Sequence, residues 1–234
     1  VEQINYAHIP KQYVAQPSNT QLVPFQLNLT QKKVGYLMGA GDLVPESLRI
    51  LGLAVELIDL DTMTPDKLQS FDTIFVGIRA FNVLESLVYK NELLFDFAHQ
   101  GGTLVVQYNT NRGLKTKKIL PYSINLSRDR VTNERSPVKI LEPKHPVFNH
   151  PHKITAADFE GWVQERGLYF ADKWDSRYTP LLGMNDPFET EKKGSLLIAS
   201  YGKGTVVYTG LSFFRELPAG VPGAYRLLIN LIHL

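Results

Sequence analysis

Four polar or glycine-rich stretches, each following an apolar run, carry the side chains with the widest chemical range in this sequence. They are "GAGD", "GIRAFN", "QYNTN" and "GLSFFRE", and their candidate ligand-binding residues are Asp42, Arg79, Asn82, Gln107, Tyr108, Asn109, Arg215 and Glu216. Carboxylates, amides and guanidinium groups can hydrogen-bond hydroxyls, while a ring such as Tyr108 or Phe81 can stack on an apolar face. This mixture is typical of a site for a small polar ligand such as a sugar. The alternative is that the same groups satisfy one another and hold the loops in place.

The stretch "GGTLVVQYNTN" occupies the place where many α/β enzymes carry a nucleophile, at the junction of a buried strand and its loop. Here the junction holds Gln107, Tyr108 and Asn109, and the sequence contains no cysteine. At neutral pH an amide and a phenol cannot supply an attacking thiolate. The lack of cysteine also excludes disulfides and thiolate zinc sites. We therefore expect a site that keeps this location without a nucleophile.

Two other motifs are weak indications of a ligand site. "GAGD" lacks the G-x-G-x-x-G spacing of a dinucleotide-binding loop. The segment "HPVFNHPH" places His145, His150 and His152 in a metal-like arrangement. Its interspersed prolines and lack of a helical pattern favour a surface loop over a metal site.

A third motif, "DFEGWVQERGLYF", combines acidic residues with a tryptophan. Its charged and aromatic members are Asp158, Glu160, Trp162, Glu165 and Arg166. Two carboxylates near a tryptophan could indicate glycoside hydrolysis. That reaction requires a defined distance between the two carboxyl groups, which the sequence does not give. We favour an ion-paired strand.

The elements that position these residues alternate between strands and helices. Apolar runs in "KKVGYLMG", "LAVELIDL", "DTIFVG" and "GGTLVVQ" predict strands within residues 33–107. Helices separate them, and Pro45 and Thr64 are suited to begin the first two. This alternation predicts an α/β fold with a doubly wound, mostly parallel sheet. Parallel strands deliver their loops to one edge, so we expect the candidate residues to lie close together there, with an arginine oriented by Asp42 or Glu216.

The remaining segments differ in character. Residues 1–32 are polar and broken by prolines, which predicts a linker or a surface strap. Residues 112–190 have few clean periods, so we expect a long irregular insertion within one domain of residues 33–234, with short strands near 138–141 and 179–184. "GSLLIASYGKGTVVYTG" predicts a β-hairpin at 194–210, with glycines where the turn needs positive φ. An apolar face predicts a final helix within 219–234.

Composition narrows the possible partners. Charges of both signs are scattered along the chain and sum to +2, which argues against nucleic acid as a partner. No apolar run approaches the roughly 20 residues of a membrane span. The chain begins with Val and shows no signal-peptide pattern, so we expect a fragment of a longer protein and cannot assign a compartment from it.

Several long motifs carry a family resemblance that covers nearly the whole chain. They include "VGYLMGAGD", "GIRAFN", "GGTLVVQYNTN", "LSRDRVT", "DFEGWVQERGLYF" and "GKGTVVYTGLSFFRELPAGVPGAYRLLINL". Together they resemble the C-terminal region of large PIG-L (LmbE-like) deacetylases of Bacteroidetes. That region is similar to class I glutamine amidotransferase and ThuA-like domains, which implies a flavodoxin-like fold. The resemblance also implies a zinc-dependent N-acetylglucosaminyl deacetylase domain in the same polypeptide as a partner, and a periplasmic or secreted location.

The metal motif of the deacetylases and the cysteine nucleophile of the amidotransferases are missing from this chain. The Pro-His-Pro-Asp-Asp-type metal motif of the deacetylases does not occur, and the amidotransferase Gly-x-Cys-x-Gly elbow corresponds to Gln107-Tyr108-Asn109. The resemblance therefore implies a non-catalytic accessory domain, without metal or cofactor, that binds carbohydrate or packs on the deacetylase domain. One alternative is a ThuA-like sugar-modifying enzyme that uses Asp42, Arg79, Glu165 or Glu216. Another is a structural oligomerisation module.

Overall fold

A seven-stranded, mostly parallel sheet organises the protein, whose computed structural model describes residues 2–15, 22–29 and 31–234. The strands are β1 (Glu2–Ile4), β2 (Gln12–Val14), β3 (Lys33–Leu37), β4 (Ala54–Leu57), β5 (Thr73–Val76), β6 (Thr103–Gln107), β7 (Ile124–Val131), β8 (Val138–Ile140), β9 (Gly167–Trp174), β10 (Thr179–Pro180), β11 (Leu182–Met184), β12 (Leu196–Tyr201) and β13 (Gly204–Thr209). The α-helices are α1 (Val44–Ile50), α2 (Pro65–Gln69), α3 (Ala80–Val83), α4 (Leu87–His99), α5 (Phe213–Glu216) and α6 (Pro222–Ile232). Two 3₁₀ turns lie at Pro146–Phe148 and Ala156–Phe159.

The sheet has the strand order β10-β12-β13-β6-β5-β3-β4, with β4, β3, β5, β6 and β13 parallel. Every residue of β5 and β6 is buried, as expected of strands covered on both faces. Helices α1 and α6 contribute to the core on one face, and α2 and α4 to the core on the other. The predicted doubly wound α/β fold is confirmed.

The helix starts follow from local sequence. Pro45 lies in the first turn of α1, where its missing N–H would have no intrahelical partner. The Thr64 hydroxyl accepts a hydrogen bond from the Lys67 N–H at 3.3 Å and caps α2. Both predicted starts are confirmed. Among the described residues, no helix combines the length and apolar character needed to cross a bilayer.

The predicted C-terminal hairpin extends the same sheet. Strand β12 pairs antiparallel with β13, which pairs parallel with β6. The turn departs from the prediction, because only Gly202 has a positive φ, 59°. Gly204 is needed for close approach, since a Cβ there would lie 2.2 Å from the Gly102 carbonyl oxygen. Helix α6 then packs across the sheet within the predicted segment.

The insertion at residues 112–190 is more regular than predicted. Strands β7 and β9 form an antiparallel ribbon of eight residues each, and β8 pairs with β11 near the two predicted short strands. In β7 only Leu126 and Val131 are buried, and the register shifts between Leu126 and Asp129. This irregularity breaks the period-2 apolar pattern that would have revealed the strand.

The described part of the N-terminal segment contacts the domain surface. Strands β1 and β2 form a small exposed hairpin. Further on, Phe25 packs against Tyr225 with ring centroids 5.6 Å apart, and the Asn28 N–H donates to His152 Nε2 at 3.2 Å. These contacts agree with a surface strap, although the predicted division between strap and domain remains a prediction.

Candidate functional site

The loops at the carboxyl ends of the parallel strands meet at one edge of the sheet. The Ala40 N–H donates to the Ile78 carbonyl at 2.9 Å, and the Arg79 N–H donates to the Tyr108 carbonyl at 2.8 Å. The Phe81 N–H donates to Asn109 Oδ1 at 2.9 Å. We call this edge the rim and define it by residues 38–43, 77–82, 107–112 and 210–216. The rim contains all eight candidate ligand-binding residues predicted from the sequence, whereas Glu165, a candidate of the enzyme alternative, lies outside it.

One part of the rim is an internal hydrogen-bond network. The Gln107 amide donates to the Tyr36 hydroxyl at 2.8 Å, and this hydroxyl donates to the Asp42 carboxylate at 2.8 Å. Asp42 also accepts the Val44 N–H at 3.0 Å, at the start of α1. Burial raises the pKa of Asp42 and holds that of Tyr36 well above its usual value. Asp42, although partly exposed, therefore acts as a structural acceptor at the start of α1.

Two asparagines join neighbouring loops. Asn109 Nδ2 donates to the Gln107 carbonyl at 2.9 Å, in addition to the bond that its oxygen accepts from the Phe81 N–H. Asn82 Nδ2 donates to the carbonyls of Thr110 and Arg112 at 3.1 Å each, and its oxygen accepts the Thr110 N–H. Both amides are thus occupied by backbone groups, which supports the structural alternative for these residues.

Glu216 is fully buried beneath the rim. Its carboxylate accepts the Val163 N–H at 2.9 Å and lies 3.2 Å from the Ser212 hydroxyl oxygen. Burial raises the pKa of Glu216 to about 7, against the opposing effects of these two hydrogen bonds and the charge of Arg166. A residue enclosed in this way cannot reach a ligand at the surface.

Arg215 points away from its neighbour Glu216. Its Nε donates to Glu165 Oε1 at 2.9 Å, and its Nη1 donates to Gln164 Oε1. The predicted orientation of an arginine by Asp42 or Glu216 is therefore wrong. The physical reason is that α5 directs Glu216 into the core and leaves Arg215 on the outside, where the loop before β9 supplies the partner.

A second part of the rim, together with Tyr169 of β9, forms an aromatic and cationic surface, which we call the outer group (Arg79, Tyr108, Tyr169, Phe214 and Arg215). Tyr108 stacks on Tyr169 with centroids 6.0 Å apart and planes inclined by 8°, and it contacts Phe214 at 5.3 Å. The Arg215 guanidinium lies 4.8 Å from the Phe214 ring centre. Arg79 is exposed, and its guanidinium forms no hydrogen bond or ion pair with any described residue.

Phe81 does not belong to this surface. It was predicted as an alternative stacking ring, but it is completely buried in the core on the α4 side of the sheet. Its main-chain amide holds Asn109, so the residue positions the loop from below.

Backbone strain is concentrated beside the outer group. Among the described residues, four that are not glycine have positive φ, and three of them lie here: Arg79 at 57°, Gln164 at 70° and Tyr169 at 54°. Such conformations cost on the order of 1–3 kcal/mol each and cluster at ligand-binding and catalytic sites. The strain favours a functional over a purely structural role for this part of the rim.

Two concave regions lie along the β7–β9 ribbon, and the smaller one includes Tyr169 of the outer group. A hollow of about 140 Å³ is lined by Arg128, Arg130, Thr132, Glu165, Leu168 and Tyr169. It shares Arg128 and Arg130 with a cleft of about 840 Å³ that also contains Trp174 and residues 189–193. Ligand pockets usually measure about 300–1,000 Å³, so the hollow fits one substituent and the cleft fits a larger ligand.

Sequence reasoning missed this ribbon as part of the site. The available signal was the Arg-x-Arg spacing in "LSRDRVT", which places Arg128 and Arg130 two residues apart in a strand. Because the segment was not predicted as a strand, neither arginine was a candidate.

The motifs "HPVFNHPH" and "DFEGWVQERGLYF" have structural roles. His145 Nδ1 accepts the Val147 N–H at 3.2 Å, and among the described residues no group of three potential ligands is arranged for a metal ion. Asp158 pairs with Arg226 at 3.2 Å, and Glu165 pairs with Arg215. The predicted ion pairing is present, but both acids precede β9, which begins only at Gly167.

Comparison with known proteins identifies the fold. No family model and no curated protein matches the chain. A cytoplasmic protein of Salmonella typhimurium is 15% identical with a TM-score of 0.56, over 86% of this chain and 98% of that one. A protein of Thermoplasma acidophilum described as part of a GMP synthase is 11% identical with a TM-score of 0.54, over 88% and 96%. A ThuA-like protein of Bacteroides uniformis is 13% identical with a TM-score of 0.50, over 88% and 93%. The chain therefore has a ThuA-like and glutamine amidotransferase-like fold.

Proposed function

We propose that this chain is a non-catalytic accessory domain that binds carbohydrate at the outer group and the adjoining cleft. The deacetylase partner that its motifs imply is part of the same proposal. At the carboxyl end of β6, the chain offers a stacked phenol, Tyr108, and an amide, Asn109, whose atoms are occupied by backbone groups. This arrangement argues against hydrolysis by the amidotransferase mechanism, because no group at this position can act as its nucleophile.

The observation that carries the proposal is the combination of rings and fixed guanidinium at the outer group. Tyr169 and Phe214 are partly exposed and flank Tyr108, so they offer apolar surface to the C–H face of a sugar. Arg215 is held by Glu165, which leaves further N–H donors for hydroxyl groups. A rigid aromatic surface beside oriented donors is the usual composition of a small-ligand site.

The enzyme alternative is weakened by the positions of its acids. Asp42 is engaged by the Tyr36 hydroxyl and the Val44 N–H, and Glu216 is fully buried. Glu165 is paired with Arg215, so none of the three carboxylates is free for proton transfer at the outer group.

A packing role beside the binding role is supported by the lateral edge of the sheet. Strand β4 ends the sheet, and Leu43, Ile50 and Leu57 near it are 56%, 84% and 45% exposed. An open strand edge with apolar side chains is a surface suited to contact with another domain.

A glycan panel tests the proposed function. We expect a specific sugar, added to the isolated chain at 100 times its dissociation constant, to raise the free energy of unfolding by about 2.7 kcal/mol. We expect no glutaminase activity and no deacetylation of N-acetylglucosamine substrates in parallel assays. Failure of every sugar to shift the melting temperature would contradict the binding function. Turnover that survives repurification and is lost on changing one rim residue would contradict the absence of catalysis.

A further inference from the structure

We infer that the carbohydrate bound here is acidic, and that its carboxylate or sulfate group enters the hollow beside Arg128 and Arg130. The inference rests on the proposed function and narrows its ligand class. All ten arginines of the chain fall within the described residues, and they differ in their ionic partners.

Six arginines have partners inside the protein. Five pair with carboxylates: Arg49, Arg135, Arg177, Arg215 and Arg226. The sixth, Arg166, is buried and donates to the carbonyls of Ser136 and Phe159. The carboxylates compensate the charge of the first five arginines, and the carbonyl oxygens satisfy the N–H donors of Arg166.

The guanidinium groups of the other four arginines donate no hydrogen bond and form no ion pair with a described residue. They are Arg79, Arg112, Arg128 and Arg130. All four belong to the same edge of the domain, since Arg79 and Arg112 lie in rim loops joined by Asn82, and the other two line the hollow beside Tyr169. The net charge of the chain is only +2, so general basicity does not explain this concentration.

The carboxylates that line the hollow leave its positive charge largely uncompensated. Glu165 lines the hollow but is already paired with Arg215. Asp42 is partly exposed but accepts hydrogen bonds from the Tyr36 hydroxyl and the Val44 N–H, and Glu216 is fully buried. Four carboxylates line the larger cleft but not the hollow. Glu189 and Glu191 pair with Lys192 and Lys193, Asp172 accepts a hydrogen bond from Asn125, and Asp129 forms no ion pair with a described residue. Like charges raise the local potential, so an anion that enters is attracted by several guanidinium groups at once.

The size of the hollow selects the kind of anion. Its volume of about 140 Å³ is below the usual range for a whole ligand, whereas a planar carboxylate or a compact sulfate needs little space. Guanidinium forks bind such oxyanions through paired N–H donors. The sugar ring would then lie on the outer group or in the larger cleft, which opens through the same two arginines.

Matched pairs of neutral and acidic sugars test this inference by calorimetric titration of the whole chain. The pairs are neutral oligosaccharides with their uronate forms, and N-acetylglucosamine oligomers with their sulfated forms. We expect at least one acidic sugar to bind at least about tenfold more tightly than its neutral partner. A charge-assisted hydrogen bond contributes enough binding free energy for such a difference in dissociation constant. This advantage should shrink as salt screens the charges. Preference for the uronate or the sulfate identifies the source of the anion.

Arginine variants show which side chains produce the preference for the acidic sugar. Arg130→Ala should remove most of the preference for the acidic sugar, and Arg130→Lys should restore it only in part, because lysine lacks the bidentate fork. The matched control is Arg135→Ala, whose side chain is 88% exposed beside Glu134, and it should leave the preference unchanged. Equal affinity for neutral and acidic sugars would overturn the inference while leaving the proposed function intact. Inorganic sulfate binding as tightly as a sulfated sugar would also overturn it, and no sugar binding at all would overturn both.

Discussion

Replacing Glu216 by Gln is expected to raise the free energy of unfolding at pH 8 by up to about 3 kcal/mol and to leave it unchanged near pH 4. Burial raises the pKa of this carboxyl group from an ordinary 4.5 to about 7. Between these values the folded protein holds a proton that the unfolded chain releases. The stability of the wild-type domain should therefore fall as pH rises from about 4.5 to about 7 and become level above it. Glutamine carries no charge, so the variant should not show this decline.

The local geometry fits a neutral side chain. The Ser212 hydroxyl has a single proton, and its shortest acceptor is the Glu165 carbonyl at 2.8 Å. A protonated Glu216, or a glutamine amide, can then donate to the Ser212 oxygen while its own oxygen accepts the Val163 N–H. Urea unfolding across this pH range measures the effect, with the exposed Glu160→Gln as control. A variant less stable than wild type at pH 8 would mean that the ionised carboxylate is stabilised by Arg166.

Asp42→Ala and Arg79→Ala should separate the structural from the ligand-binding part of the rim. Removing Asp42 leaves the buried Tyr36 hydroxyl and the Val44 N–H without their acceptor, which should cost about 2–4 kcal/mol with or without sugar. Arg79 is exposed and unpaired, so its loss should change stability by less than about 0.5 kcal/mol. We expect it to weaken sugar binding by about tenfold, the effect of losing one charged hydrogen bond.

Urea unfolding and sugar titration of the same two variants provide the measurement. Asp42→Asn is the matched control, because its amide oxygen can still accept one bond and should recover much of the lost stability. If Asp42→Ala were as stable as wild type and bound sugar weakly, Asp42 would belong to the binding surface. If Arg79→Ala lost stability and kept its affinity, the rim would be a structural network throughout.

The location of the rim could be predicted because it depends on short-range sequence signals. Strands β3, β5 and β6 are apolar runs, and the residue types that follow them identify loops at their carboxyl ends. Parallel pairing then brings Asp42, Arg79 and Gln107 to one edge regardless of side-chain detail. The pattern of apolar strands and the parallel strand connections were therefore sufficient to predict where the rim lies.

The division of the rim into internal and outer residues could not be predicted. Arg215 and Glu216 are adjacent in sequence, yet one is partly exposed and the other is fully buried. The partner of Arg215 is Glu165, 50 residues away, on a loop whose course depends on the irregular β7–β9 ribbon. The positive φ of Tyr169 also has no sequence signal, since it is not a glycine or an asparagine. These features depend on tertiary packing rather than on local preference.

Mapping of backbone amide chemical shifts during titration with a bound sugar tests the binding site most directly. We expect the largest changes in residues 108–112, 128–132, 167–174 and 212–216, which border the outer group, the hollow and the cleft. Amides around the separate cavity of about 290 Å³ lined by His145, His150 and His233 should stay unchanged. Shifts confined to that cavity, with an unaffected rim, would contradict the proposal that the strand-end rim binds carbohydrate.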